Sequence, residues 1–426
     1  MMRRKRMIGA ALSLAVSAMS LCGCADKTIV NEQQKQTTIS FSWWGNEERN
    51  EYTMEAIDAF ERLHPEIKVD YYFTEWSGYQ TRNDIKMASN TESDVMQINY
   101  AWITQYSPTG EGYYDIGELA EYIDLSNFTE KEINYGMQKG HLNALPIALN
   151  TETFYFNETL FEEYQLSFPK TWDDLFAIAS KIPEDKFVLG MPQKSVWMLC
   201  AAYAEQKNGK QFISADGELK FNAKDIEDML DFYCRAVDAR VMPGMDYYEK
   251  SNIGKGIYLG YLAWISDAGS YSADAVKNGY TIVATDYLTV DGGALTGWYA
   301  KPATMYAIGK NTEHPKEAAM LLDFLLNSEE MAKCQGLEKG IPLSTSALTV
   351  LSEEGMLEGI QYEAYEKMME YDQEIAIMSP YHETQSLIDA FSDACNAVYY
   401  DVKTLEEAAK ELETEFTKIL RETRGE

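Results

Sequence analysis

The 426-residue chain is poor in the residues that usually carry catalysis or metal binding: it has 4 histidines and 6 cysteines. His64, His141, His314 and His382 are scattered and offer no metal-ligand spacing. Cys200, Cys234, Cys334 and Cys395 form no C-x-x-C pair and lie in apolar, helix-like contexts. They read as buried thiols, with one disulfide left open for an exported chain. There is no G-x-S-x-G elbow, no H-E-x-x-H, no Walker loop and no G-x-G-x-x-G after a strand. These absences leave no cofactor, no metal site and no catalytic residue to name. Positive charge is also scarce, with 37 Lys+Arg against 68 Asp+Glu and a net charge of −31. Such a surface repels phosphate backbones, which excludes a nucleic-acid partner and a polybasic membrane-surface module. Hydrophobic content of 46% and charged content of 25% are ordinary for a globular chain, so the acidity does not signal disorder. No internal repeat or Gly/Pro-rich linker divides the body, and its length suits two or three lobes.

One apolar run is present, Met7 to Leu21, after a basic start at Arg3, Arg4, Lys5 and Arg6. At 1.5 Å per residue it is too short to span about 30 Å of hydrocarbon, so it reads as an export signal. It ends in Leu21-Cys22-Gly23-Cys24, similar to the bacterial lipoprotein box. This predicts a signal peptide over 1–23 and lipidation of Cys24, for instance with palmitate. A polar tether over 24–36 would reach at most about 40 Å from the membrane.

The body alternates between strand and helix patterns. Ile39, Phe41 and Trp43 mark a strand; Ala56, Ile57, Phe60 and Leu63 share a helical face between Asn46 and Pro65. Ile67, Val69, Tyr71 and Phe73 mark a second strand, Gly78–Ala88 a helix and Asp94–Asn99 a third strand. This βαβαβ run predicts parallel strands with right-handed crossovers, and ligands bind beyond the carboxyl ends of such strands. Those ends carry Trp43-Trp44, Glu75-Trp76 and Tyr100-Ala101-Trp102. Further along, Thr171 and Asp174 form a capping pair beside Trp172, which reads as a packing residue. Thr404 and Glu407 open an amphipathic helix through Leu412, Phe416 and Ile419.

Many aromatics with few nucleophile constellations point to binding without turnover. Aromatic faces suit pyranose rings, whose axial C–H bonds present an apolar patch. Trp43, Trp44, Trp76, Trp102, Trp197, Trp264 and Trp298 are the candidate platforms, with Tyr100 beside them. Carboxylates and amides such as Glu75, Asp267 and Asn150 are candidates to bond sugar hydroxyls. Arg49, Arg82 and Lys301 could reach a cleft and recognise a uronic acid, or could be solvated surface charge.

Several segments in order carry a family resemblance: the lipobox, Ser42-Trp43-Trp44-Gly45, His64-Pro65 before Ile67-Lys68-Val69, and Asp94-Val95-Met96. They continue with Leu145-Pro146-Ile147, Tyr155-Phe156-Asn157, Pro169-Lys170-Thr171-Trp172, Pro315-Lys316-Glu317-Ala318-Ala319 and Lys339-Gly340-Ile341-Pro342. The chain resembles the extracellular solute-binding lipoproteins of bacterial ABC importers, the carbohydrate-binding family that includes maltose-binding protein. The resemblance implies an α/β, two-lobed periplasmic-binding-protein-like fold of type II (Venus-flytrap), each lobe a sheet flanked by helices. Lobe one would be 37–145 plus 265–343, and lobe two 146–264 plus 344–426. The implied function is capture of an oligosaccharide for delivery to permease subunits, by a monomer anchored outside the cytoplasmic membrane. Lys339 stands where arginine is common in such proteins. An exported polysaccharide-active enzyme and a surface lectin are the competing readings.

Overall fold

The computed structural model describes residues 36–291, 297–371, 374–424 and 426. The expected signal segment, Cys24 and most of the tether lie outside these residues. Among the described residues, no helix is long and apolar enough to cross a membrane.

The chain opens with strand β1 (Thr37–Trp44), helix α1 (Glu47–Leu63), strand β2 (Ile67–Thr74), helix α2 (Trp76–Ser89) and strand β3 (Val95–Ile98). The Asn46 side chain caps α1 by accepting the Arg49 N–H at 2.9 Å. Helix α2 closes on Asn90 in the left-handed conformation (φ 55°). Both β2 and β3 run parallel to β1, as helical crossovers require. Strands β4 (Leu145–Pro146), β5 (Leu149–Asn157), β6 (Phe187–Gly190) and β7 (Tyr258–Trp264) follow. The strands that complete the two main sheets are β8 (Ile282–Ala284), β9 (Tyr299–Pro302), β10 (Met305–Ile308) and β11 (Ala376–Ile377).

These strands form two main sheets. The first has the order β2-β1-β3-β10-β4; the second has β11-β9-β5-β7-β6, with β8 also paired to β5. The fold is therefore mixed α/β, two lobes each built on a sheet flanked by helices. The chain passes from the first sheet to the second between β4 and β5, and back between β9 and β10. The strand pairings place residues 282–284 and 299–302 with the second sheet, where the sequence reading had put them with the first. The reason is that β8 and β9 both run antiparallel to β5. A backbone link joins the strands' connections, with the Leu343 N–H donating to the Ile147 carbonyl at 3.0 Å. Nearby Gly340 adopts φ +95°, a conformation that favours glycine, with Ala148 packed against it.

The second lobe owes its core to helices Gln193–Asn208, Ala223–Asp238, Gln385–Tyr399 and Leu405–Thr423, which pack together. Thr171 and Thr404 each make reciprocal capping boxes, with Asp174 and Glu407. Trp172 is buried and donates to Gln206 at 2.8 Å, a packing role. Cys200, Cys234, Cys334 and Cys395 are free thiols, the first and last of them buried.

Within this core Glu205 is buried, accepting from the Tyr299 hydroxyl at 2.6 Å and the Phe212 N–H at 2.8 Å. Burial pushes its carboxyl up to about 7, only partly offset by those donors. Between the free-carboxyl value of 4.5 and about 7, the native chain binds a proton that the unfolded chain does not. Stability from this group is therefore full below the free value and is lost as pH rises through about 7. Glu205→Gln should flatten that fall, measured as urea midpoints across the same pH range.

Candidate functional site

Period-two alternation sends neighbouring side chains to opposite faces of a strand, so Trp43 and Trp44 cannot share a site. Trp44 turns toward the carboxyl ends of β1 and β3. There it meets Trp76, the first residue of α2, edge-on at 4.9 Å, and Trp102 at 5.9 Å. Trp76 and Trp102 stack at 5.5 Å, and Tyr79 stacks on Trp102 at 6.0 Å. Trp44 and Trp102 are buried by their neighbours, while Trp76 keeps 40% of its surface exposed. The result is an aromatic wall on the first lobe with one indole presented outward.

Trp43 is a correction. It is wholly buried, its indole N–H donates to Asn50 at 3.0 Å, and it stacks on Phe73. Trp197 and Trp298 are corrections too. Trp197 lies in the second lobe's core against Phe212, Phe391 and Phe416, donating to the His382 carbonyl at 3.0 Å. Trp298 stacks on Trp172 and donates to the Leu288 carbonyl. Arg82 also leaves the site, lying 3.7 Å over the Tyr72 ring in a separate surface hollow. Glu75 is exposed as the residue before α2 and makes no capping bond. Tyr100 is half-buried, edge-on to Tyr135.

The opposite wall is built by strand register. In the second sheet Lys301 pairs with Asn150, and Trp264 pairs with Glu152. Directly opposed residues share a face, and so do residues two apart on one strand. Asn150, Glu152, Trp264 and Lys301 therefore form one patch. Asn150 ties it to the next segment, donating to the Ser266 hydroxyl at 3.0 Å and accepting the Ser266 N–H at 3.2 Å. Ser195, in the first turn of helix Gln193–Asn208, donates to Glu152 at 2.6 Å. Its neighbour Lys194 forms an ion pair with Glu383, which also pairs with Lys301. The Lys301 and Lys194 ammoniums lie 4.5 and 5.5 Å from the Trp264 ring centroid.

A cleft of about 460 Å3 separates the walls, lined by Trp76, Trp102 and Asn99 on one side and by Lys194, Glu383 and Tyr381 on the other. Burial dominates the electrostatics of the second wall. It pushes the Glu152 carboxyl up to about 7 and holds Lys301 well below the usual ammonium range. Burial also raises Asp267, against the opposing pull of Arg49, Lys250, Lys194 and Lys301. Lys339, in the connection that follows helix Glu329–Gln335, is buried and donates to Tyr306 at 2.8 Å. Its ammonium is lowered to about 7, chiefly by burial and then by Arg49. The residues that sequence reasoning missed are Lys194, Ser195, Glu152 and Glu383. For Lys194 and Ser195 a signal existed: they make a polar first turn ahead of the apolar run Val196–Ala202. Glu383 carried none.

Two helix-flanked sheets facing each other across an aromatic and charged cleft define a two-lobed ligand-binding protein. A family profile for bacterial extracellular solute-binding proteins matches residues 55–369. The chain belongs to that family. Among solved structures, the periplasmic oligogalacturonide binding protein from Yersinia enterocolitica, in complex with saturated digalacturonic acid, is 30% identical. That similarity covers 91% of this chain and 100% of that one, with a TM-score of 0.81. A de novo designed cysteine esterase is also 30% identical, covering 92% of this chain and 99% of that one at a TM-score of 0.83. Among the described residues, no cysteine lines the cleft. A sequence relative, an ABC transporter extracellular-binding protein from Pyrococcus horikoshii, is 26% identical over 141 residues, covering 33% of this chain and 32% of that one.

Two substitutions separate wall from core. Trp197→Ala should cost about 3–5 kcal/mol of stability, read from chemical denaturation. Trp76→Ala, at an exposed ring, should leave the denaturation midpoint nearly unchanged while weakening ligand binding. The reverse pattern would exchange their roles.

Proposed function

We propose that the protein is the extracytoplasmic binding component of an ABC importer and captures an oligosaccharide between its lobes without turning it over. The observation that carries this reading is the cleft itself, lined by the stacked Trp76 and Trp102 on one side and on the other by Glu383 and by Lys194, whose ammonium lies 5.5 Å from the Trp264 ring centroid. Stacking faces on one side and hydrogen-bonding groups on the other are what a sugar chain requires. Asn99, Gln80, Gln105 and Thr384 line the same space and can bond hydroxyls. A ligand that touches both walls binds the closed arrangement alone, so it shifts the population toward closure by its differential affinity. Family membership supports the reading, and the Yersinia protein's ligand brings uronides into the set to be tested. The Pyrococcus relative's name supports the ABC assignment, with permease transmembrane subunits as recipients. The hinge in this reading is the set of connections at residues 147–148 and 303–304, with the chain near Gly340.

The test is a thermal-shift screen of purified protein against plant, host and storage oligosaccharides, with chromatography of the recovered glycan. A stabilising glycan recovered intact is the expected result, since binding adds RT ln(1 + [L]/Kd) to stability. Steady consumption of the glycan would favour an enzyme. The reading also includes a monomer lipidated at Cys24 on the outer face of the cytoplasmic membrane. Cys24→Ala should then release the body into the medium, because a short polar tether has no membrane affinity of its own. Retention of that variant in the membrane fraction would refute the anchor.

A further inference from the structure

The second wall holds more positive charge than an acidic protein spends without use. Lys194 and Lys301 converge on the single carboxylate of Glu383, one lysine at each oxygen. Arg49 and Lys250 act with them on Asp267. Lys194 and Lys301 also act on Glu152, so two cations of this wall serve Glu152, Asp267 and Glu383 in a chain whose net charge is −31. Burying such groups is costly, and an apolar cluster of similar volume would serve stability as well or better. The cluster also sits at the cleft: Lys194 and Glu383 line it, and the Lys194 side chain is 40% exposed. The floor beneath is a paired strand, with Lys301 on β9 and its side chain 8% exposed. Glu383, by contrast, ends a single helical turn, Pro380–Glu383, on the cleft's rim.

We propose that the cleft selects an acidic oligosaccharide, and that a uronate carboxylate takes the place of Glu383 between Lys194 and Lys301. This rests on the oligosaccharide-binding reading above and names the ligand class. A uronate offers a ring C–H face and a carboxylate on one rigid unit. The wall offers the matching pair, the Trp264 indole with two ammoniums within 4.5 and 5.5 Å of its centroid. In the unliganded protein Glu383 is the stand-in carboxylate. It keeps two like charges from facing each other unscreened and sets a threshold that a neutral sugar cannot pay back. A neutral ligand would have to leave that ion pair intact or strand a buried lysine.

The test is calorimetric titration of the full protein with digalacturonate and with its dimethyl ester, which keeps the stereochemistry, adds one methyl per unit and loses both charges. Wild type should bind the acid at least tenfold more tightly than the ester. Lys194→Met and Lys301→Met should each abolish that preference. Glu383→Gln should raise affinity for the acid severalfold, because the competing carboxylate is gone. If Lys301→Met fails to fold, Lys194→Met carries the test alone, since its side chain is partly solvated. Equal binding of acid and ester by wild type would overturn the inference while leaving oligosaccharide capture standing. Failure of both probes, together with neutral glycans binding in the screen, would do the same. Failure of every glycan would overturn the oligosaccharide reading and this inference together. Acid preference that survives both lysine substitutions would place the carboxylate elsewhere and overturn the assignment to these lysines.

Discussion

The site depends on the register of one strand. Leu149–Asn157 is buried along its whole length and pairs with three other strands. Because side chains alternate with period two, a one-residue slip would turn Asn150 and Glu152 to the far face. It would also break the facing pairs with Lys301 and Trp264 that make the second wall. Burial on all sides fixes that register, since a slip would expose polar groups to an apolar layer. The same strand begins directly after the chain leaves the first sheet, so its register also fixes how the connection enters the second lobe.

The first wall follows from the same alternation. At the end of the first strand, Trp43 packs on Phe73 and Phe41, and Trp44 turns to the cleft side. Parallel strands deliver their carboxyl ends to one edge, and the helices that follow begin there. Trp76 and Trp102 are each the first residue of such a helix, which is why they meet Trp44 though they are far apart in sequence. One wall is therefore apolar and stacked, the other charged and hydrogen-bonded. Neither alone could hold a sugar chain on both faces.

Much of this was legible in the sequence, for local reasons. Asn46, Thr171 and Thr404 announce helix starts because capping uses residues three apart. The parallel βαβαβ run followed from alternation and turn spacing, and it located the Trp44, Trp76 and Trp102 ends. The errors share one cause. Tryptophan is as much a core residue as a platform, and the sequence does not say what covers it. Trp197 sits in a helix buried on nearly every face, and Trp298 lies flat on Trp172. Lys194, Glu383 and Lys301 meet only through tertiary structure, so no spacing rule could join them. The placement of residues 282–284 and 299–302 was misjudged for a related reason, since antiparallel pairing to a distant strand leaves no local mark.

The central claim is that ligand is held between the two lobes rather than on the surface of one. Small-angle X-ray scattering of the purified protein, with and without a glycan that stabilises it, tests this most directly. A ligand that joins the aromatic wall to the charged wall should shrink the radius of gyration at saturation. Superimposable curves with and without saturating ligand would contradict capture by closure.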